Sequence, residues 1–207
     1  MGWACRASGW PKHTINAVAL LPLALAFVDV GTPLPVTIRQ VDESVLIDAP
    51  AATIWQQVHD IRDIKPGELD QAWAFRIGVP TPRSGISTTL DVPVRRVTMG
   101  KQVYFDQVVD ESRDNEFVRW HYRFYPDSFP PRALDDHVRI GGRYFDLIDT
   151  SYSLHPEGNR IRLTLQAHYR VSTRFNWYAG PLSQWLMDNA AGAYLNMYKH
   201  RAEATAH

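Results

Sequence analysis

The chain of 207 residues has little of several things that would announce a function. It holds one cysteine, Cys5. That excludes an intrachain disulfide and a zinc site built on cysteine pairs, and Cys5 reads as incidental rather than as a catalytic thiol. Charge of one sign is not in excess: 22 Lys and Arg stand against 22 Asp and Glu. No general field attracts a polyanion, so nucleic acid is not an expected partner. There is no H-E-x-x-H pair, no glycine-rich phosphate loop and no G-x-S-x-G elbow; Ser84, in Pro82-Arg83-Ser84-Gly85, lacks the elbow spacing. Internal repeats and strand–helix–strand alternation are missing too, which argues against the parallel nucleotide-binding folds. The one dense polar cluster, Asp135-Asp136-His137, lies in a proline-rich loop and reads as solvated. Nothing here calls for a cofactor or a metal.

What is present is apolar and aromatic. Hydrophobic residues make up 45% of the chain, with seven Trp, nine Tyr and eight Phe. Such a composition supplies a large core or the lining of a pocket for ring-bearing or acyl ligands, and composition alone does not separate the two uses. Residues 14–28 form an uncharged run, preceded by Arg6 and Lys12. The run is shorter than the roughly 20 residues that span a bilayer. Three readings stay open for it: a signal peptide with Ala24-Leu25-Ala26 as the cleavage pattern, a membrane anchor or remnant, and an apolar arm packed on the domain. The first two place the domain in a membrane-associated or exported setting, and the third leaves a cytoplasmic one open. The prolines of Gly31-Thr32-Pro33-Leu34-Pro35 make a stiff linker. The chain thus divides into 1–35 and a domain over 36–207.

Within that domain the periodicity changes twice. Val36 to Ile47 alternates as a strand with one buried face. Asp48-Ala49-Pro50 ends it, with Pro50 expected at the first helical position. Ile54, Trp55, Val58 and Ile61 fall at helical spacing over Ala51–Ile61. A second short helix is expected over Ile64–Trp73, and Gly78–Gly85 reads as loop. Alternation then returns in Ile86–Thr98 (kinked at Pro93), Gln102–Asp110, Glu116–Tyr125, Tyr144–Leu154 and Arg160–Val171, joined mostly by short turns: an antiparallel meander. Gly141-Gly142 suits a bend entering a strand. Pro181–Ala202 closes the chain as a helix of about six turns. Its stripe of Leu182, Trp185, Leu186, Asn189, Ala193 and Asn196/Met197 is expected to face the sheet, with the small residues Ala190 to Ala193 either packed closely or leaving space.

The order strand, two short helices, meander and long C-terminal helix resembles the START-like, or Bet v 1-like, superfamily. Val45-Leu46-Ile47-Asp48-Ala49-Pro50 followed by Ile54-Trp55 is similar to the first-strand signature of its polyketide cyclase/dehydrase and lipid-transport group. Trp73-Ala74-Phe75-Arg76-Ile77-Gly78-Val79-Pro80 is similar to a segment of members whose domain follows membrane helices, and Trp177-Tyr178 with Trp185 resembles their close. The resemblance covers about residues 36 to 203. The stretch between Pro82 and Pro93 looks short for this group, so a truncated second strand is expected. The resemblance implies an α+β helix-grip fold: a curved sheet of about six or seven antiparallel strands closed by the last helix around an apolar cavity.

On this frame Trp73, Arg76, Phe105, Trp120, Tyr122, Leu165, Tyr169, Trp185 and Asn189 are the expected ligand-binding residues. Arg76 would pair a ligand carboxylate or phosphate, or a surface partner. Asn189 would orient a carbonyl or bind backbone. Asp146 and Asp149 are expected on opposite strand faces, so that one points inward as a carboxylate of raised pKa. The leading expectation is non-catalytic binding of an apolar small molecule or lipid, with membrane contact through residues 14–28. The alternatives are an aromatase/cyclase- or hydrolase-type enzyme using a cavity acid or base, and an interaction module without a functional cavity. The sequence names neither the ligand, nor a catalytic residue, nor the oligomeric state.

Overall fold

The computed structural model describes residues 34–88, 93–135 and 139–206. The apolar run 14–28 lies outside them, as do Asp136 and His137. Pro35–His207 forms one unit. In chain order it contains β1 (Thr37–Ile47), α1 (Ala51–His59), a 3-10 turn (Pro66–Leu69), α2 (Trp73–Arg76), β2 (Pro82–Thr88), β3 (Val94–Met99), β4 (Tyr104–Arg113), β5 (Phe117–Arg123), β6 (Phe145–Glu157), β7 (Arg160–Val171) and α3 (Asn176–Ala206). The strands make one seven-stranded sheet in the order β1-β7-β6-β5-β4-β3-β2, antiparallel at every step. This is the expected α+β helix-grip architecture.

Several boundaries differ from the sequence reading for physical reasons. Pro50 precedes the first helical residue instead of occupying it: its ψ of 144° is extended, and its carbonyl accepts from Thr53 N at 3.0 Å and Ile54 N at 3.2 Å. The expected kinked strand Ile86–Thr98 is two strands. β2 begins at Pro82, inside the expected loop, and pairs with β3 from Pro82↔Met99 to Thr88↔Val94. The second strand is therefore not truncated. It hides because Arg83 and Ser87, both exposed, and its glycine give weak alternation. The helix over Ile64–Trp73 resolves into the 3-10 turn and α2, because Pro66 and Gly67 stop regular winding.

The C-terminal helix starts at Asn176, with Pro181 inside it. Thr173 and Asn176 fix the start. Thr173 Oγ1 accepts from Phe175 N at 3.1 Å, and Asn176 Oδ1 accepts from Thr173 N at 2.7 Å. Asn176 Nδ2 also donates to Thr37 Oγ1 at 2.9 Å, tying the helix to β1. Gly180-Pro181 looked like a boundary, yet the helix continues through Pro181 in its second turn, where the missing N–H gives up one i→i−4 bond.

The core joins the inner face of the sheet to α1 and α3: Val41, Ile47, Ile54, Val58, Trp120, Leu163, Tyr169, Leu195 and Met197 are all nearly inaccessible. A smaller cluster of Val97, Met99, Val103, Phe105 and Ala133 closes the β3–β4 end. Among the described residues the backbone of α3 lies closest to β1 and β7. Side chains join it to the central strands as well. Tyr198 of α3 meets Tyr152 of β6 edge-on, with ring centroids 5.7 Å apart.

Candidate functional site in the grip of sheet and helix

Register decides what faces the core side of the sheet. β3 and β4 pair Arg95↔Gln107 and Val97↔Phe105; β4 and β5 pair Gln107↔Tyr122 and Val109↔Trp120; β5 and β6 pair Trp120↔Thr150 and Val118↔Tyr152. Paired residues share a face. Arg95, Gln107, Tyr122, Trp120, Thr150 and Tyr152 therefore form one wall, on the side of the sheet that carries the core.

Arg95 is the hub of that wall. It is 6% exposed. Its Nη1 donates to Gln107 Oε1 at 2.5 Å and its Nε to the carbonyl of His59 at 3.3 Å. The guanidinium carbon lies 5.6 Å from the centre of the Trp120 ring, within cation–π range. Room for it comes from Gly85 on β2. A methyl group there would lie 2.2 Å from Nη2 and 2.3 Å from Cζ. Tyr122 adds a hydroxyl bonded to Thr150 Oγ1 at 2.6 Å. His59 rests against Trp55, 4.2 Å between centroids, and edge-on to Trp120 at 6.0 Å.

The electrostatics follow from burial. The hydroxyls of Tyr122, Tyr152 and Tyr194 are pushed up by burial, and the charge of Arg95 pulls each of them down without winning. All three stay protonated near neutral pH and can donate a hydrogen bond. Burial also depresses the His59 pKa, which favours the neutral ring; its bond to the Trp55 carbonyl opposes that and Arg95 reinforces it. Tyr122 and Tyr194 retain accessible surface despite this strong desolvation.

The nine expected ligand residues fall into three groups. Trp120 and Tyr122 belong to the wall just described. Phe105, 5.6 Å from Tyr122 ring to ring, lies beside them in the smaller core cluster. Leu165 and Tyr169 also face inward but sit beneath α3 as core. Tyr169 is fully buried and its hydroxyl donates to Gln184 Oε1 at 3.1 Å. Trp73, Arg76, Trp185 and Asn189 gather instead on the outer side of α2 and α3. The Trp73 and Trp185 rings are 6.0 Å apart and about half exposed, at 44% and 49%. Arg76 lies over Trp73 at 5.2 Å and donates from Nε to the carbonyl of Asp70 at 2.8 Å. Asn189 Oδ1 accepts from Trp73 N at 2.7 Å and so caps α2, the backbone role weighed for it from sequence.

Two expectations about facing are corrected. The buried residues of α3 include Ala191, Leu195, Tyr198 and Ala202, outside the expected stripe, together with Ala193 and Met197 from it, whereas its members Leu182, Trp185 and Asn196 are exposed. The helix is apolar on more than one side because α1, α2 and the 3-10 turn cover it as well, so periodicity did not single out the sheet-facing stripe. Of the small-residue run, Ala191 and Ala193 are buried, and Gly192 has nothing within 4 Å of where a side chain would begin. Asp146 and Asp149 both point outward. A bulge between Leu147 and Asp149 shifts the parity, so Asp146 pairs across from Arg170 and Asp149 from His168. Asp149 Oδ1 is 2.8 Å from His168 Nδ1.

Sequence reasoning passed over Arg95, Gln107, Tyr152, Tyr194 and His59. A signal was available. In Val94-Arg95-Arg96-Val97 two consecutive arginines sit on a strand, so one of them must face inward.

A separate hollow of about 720 Å³ lies at the hairpin end of the sheet, bordered by Ala51, Arg113–Phe117, Ser153–Pro156 and Ile161. It is half-open to solvent, has a charged rim and contains none of the expected residues.

Comparisons with known proteins place this geometry. No family profile and no curated protein matches the sequence. Solved structures do match in shape. A START superfamily protein from Mycobacterium smegmatis aligns at TM-score 0.51 and 15% identity, over 80% of this chain and 98% of that one. A protein from Thermus thermophilus aligns at 0.51 and 17%, over 82% and 100%. A protein of unknown function from Staphylococcus aureus aligns at 0.52 and 9%, over 82% and 96%. At such identities the likeness concerns the fold alone. The chain has the START-like, or Bet v 1-like, fold.

Proposed function

We propose that the protein binds an apolar small molecule or lipid, without transforming it, between the inner wall of the sheet and α3. The observation that carries this reading is the inward wall of Arg95, Gln107, Tyr122, Trp120, Thr150 and Tyr152, which sets a charge, polar groups and rings on the core side of the sheet. The affinity would come from burial, each ligand methylene contributing about 0.8 kcal/mol. The acid–base enzyme reading loses its two carboxylates, because Asp146 and Asp149 both face outward; what it keeps is His59, packed against Trp120 with its pKa lowered by burial. Among the described residues no helix is long and apolar enough to cross a membrane. We therefore assign any membrane contact to residues 14–28, to be tested by vesicle flotation of the full chain against a chain starting at Pro35. The deciding experiment is native mass spectrometry of protein purified from its host. A retained adduct of lipid or small-molecule mass is expected. Clean apo protein that turns over a polyketide-like substrate would overturn the carrier reading.

A further inference from the structure

We propose that Arg95 is an internal anion receptor, and that the ligand is an apolar or ring-bearing molecule carrying one oxyanion, a carboxylate or its like. The inference rests on the reading that the grip holds a ligand, and adds the class of its polar end.

The argument begins with two neighbouring residues given opposite treatment. β3 carries Arg95 and Arg96, and β4 places Gln107 and Asp106 opposite them, pair for pair. Arg96 points outward and is paired. It binds the carboxylate of Asp106, with Nη2 to Oδ2 at 3.0 Å, and Tyr125 donates to the same carboxylate at 2.6 Å. Arg95 points inward, into the drier place, and meets an uncharged amide. Among the described residues it has no ion pair to a carboxylate. Removing a guanidinium from water without a counter-charge is expensive, and proteins keep buried charges paired or bound to something. Here the chain pairs the arginine that water could have served and leaves the buried one uncompensated. A carboxylate in place of Gln107 would differ by one atom.

The spare donor has a direction. Nη1 and Nε are engaged by Gln107 and His59, and Nη2 has no hydrogen-bond partner among the described residues. It lies over Gly85 of β2, where the missing side chain clears space for the guanidinium. The Trp120 ring is 5.6 Å from the guanidinium carbon, and the charge of Arg95 is felt at the hydroxyls of Tyr122, Tyr152 and Tyr194 along the same wall. These rings suit an aromatic or acyl body. An oxyanion received at Nη2 would supply the missing charge.

The test uses two fluorescent probes that share one aromatic body: anilinonaphthalene sulfonate, which carries an oxyanion, and phenylnaphthylamine, which is neutral. The full-length protein should bind the anionic probe about tenfold or more tightly than its neutral counterpart, as a charge-assisted hydrogen bond allows. Arg95→Met should remove that preference and leave the neutral probe within about twofold. Because Arg95→Met is open to a folding defect, Gln107→Glu serves as the second variant. It is isosteric, supplies an internal carboxylate to the guanidinium, and should abolish the anionic preference while raising apo stability. Equal loss of both probes in either variant would make Arg95 structural and overturn the proposal. An anionic preference that survives both variants would locate it on the surface and overturn it as well. If wild type binds the neutral probe and the anionic one no better, the receptor fails while the ligand-holding reading stands. If it binds neither, both fall.

Discussion

The two sides of the grip are built from similar residues and held by different physics. The inner wall sets Trp120, 1% exposed, against Arg95, Tyr122, Tyr152 and the interior tyrosines of α3. The outer lip sets Trp73 and Trp185, each about half exposed, against Arg76 and Asn189. Both are clusters of tryptophan, arginine and an amide. In the wall the tryptophan is desolvated and its Nε1 lacks a partner among the described residues. In the lip both rings keep water, and the amide caps a helix. The same residue types therefore serve desolvated packing in one place and positioning in the other. Sequence alone gives no way to assign them, because exposure depends on which helix face meets the sheet.

The sharpest break between the two is a pair of truncations. Trp120→Ala opens a large hole in the core and should cost about 3–5 kcal/mol. Trp185→Ala, on the lip, should stay within about 0.5 kcal/mol. Chemical denaturation of both variants measures the contrast. Equal costs would mean that α3 uses its lip as core and that wall and lip are not distinct.

The next effect concerns how the wall makes room for its charge. Gly85→Ala places a methyl group on the guanidinium of Arg95. The arginine has to swing away and surrender its bond to Gln107, at a cost of about 1.5–3 kcal/mol. The cost should nearly vanish when Arg95 is already alanine, so a double-mutant cycle of thermal or denaturant midpoints checks it. Additive penalties would show that Gly85 matters for the β2–β3 backbone and not for the arginine.

What could be read beforehand divides along the same line. The meander, the entry at Asp48-Ala49-Pro50 and the strand Arg160–Val171 were legible because local alternation and turn chemistry carry them. Arg160–Val171 matches β7 residue for residue. The β2–β3 hairpin was not, since Pro82 and Gly85 read as loop until pairing with Val94–Met99 uses them as strand. The wall was half legible. Trp120 and Tyr122 follow from alternation, whereas Arg95 becomes significant only when register shows which of two adjacent arginines finds a carboxylate. Of the lip residues, Trp185 and Asn189 were chosen from the apolar stripe of α3, and Arg76 from its place among apolar residues after the short helices. Asp146 and Asp149 were misassigned because a single-residue bulge leaves no mark in the pattern.

On the lip, Asn189→Ala should remove the acceptor for Trp73 N and cost about 1 kcal/mol, typical of a lost helix cap. The loss should appear as increased exposure of Trp73 in fluorescence quenching, with Trp120 unaffected. A variant as stable as wild type would mean that water caps α2 equally well.

The smallest effect separates the two sides by pH. The segment carrying the lip is tied to the end of α3 by Arg201, which donates to the carboxylate of Glu68 at 2.7 Å and to the carbonyls of Arg62 and Asp63 at 2.7 and 2.9 Å. These bonds hold the Glu68 pKa below the ordinary 4.5, against a contrary push from burial. A carboxylate with a depressed folded pKa contributes stability that is complete above its unfolded value. That contribution is lost as pH falls from about 4.5 through the folded pKa. The wall has no such carboxylate in contact with Arg95 among the described residues, so its packing should be insensitive over the same window. Acidification should therefore loosen the lip first, with amide exchange rising around residues 62–77 before it rises in β5 and β6. Glu68→Gln should flatten that acid-side slope and cost less than about 1 kcal/mol at neutral pH, as expected for a partly exposed pair. If β5 and β6 open together with 62–77 on acidification, the lip and the wall are one cooperative unit, distinct in their contacts but not in their stability.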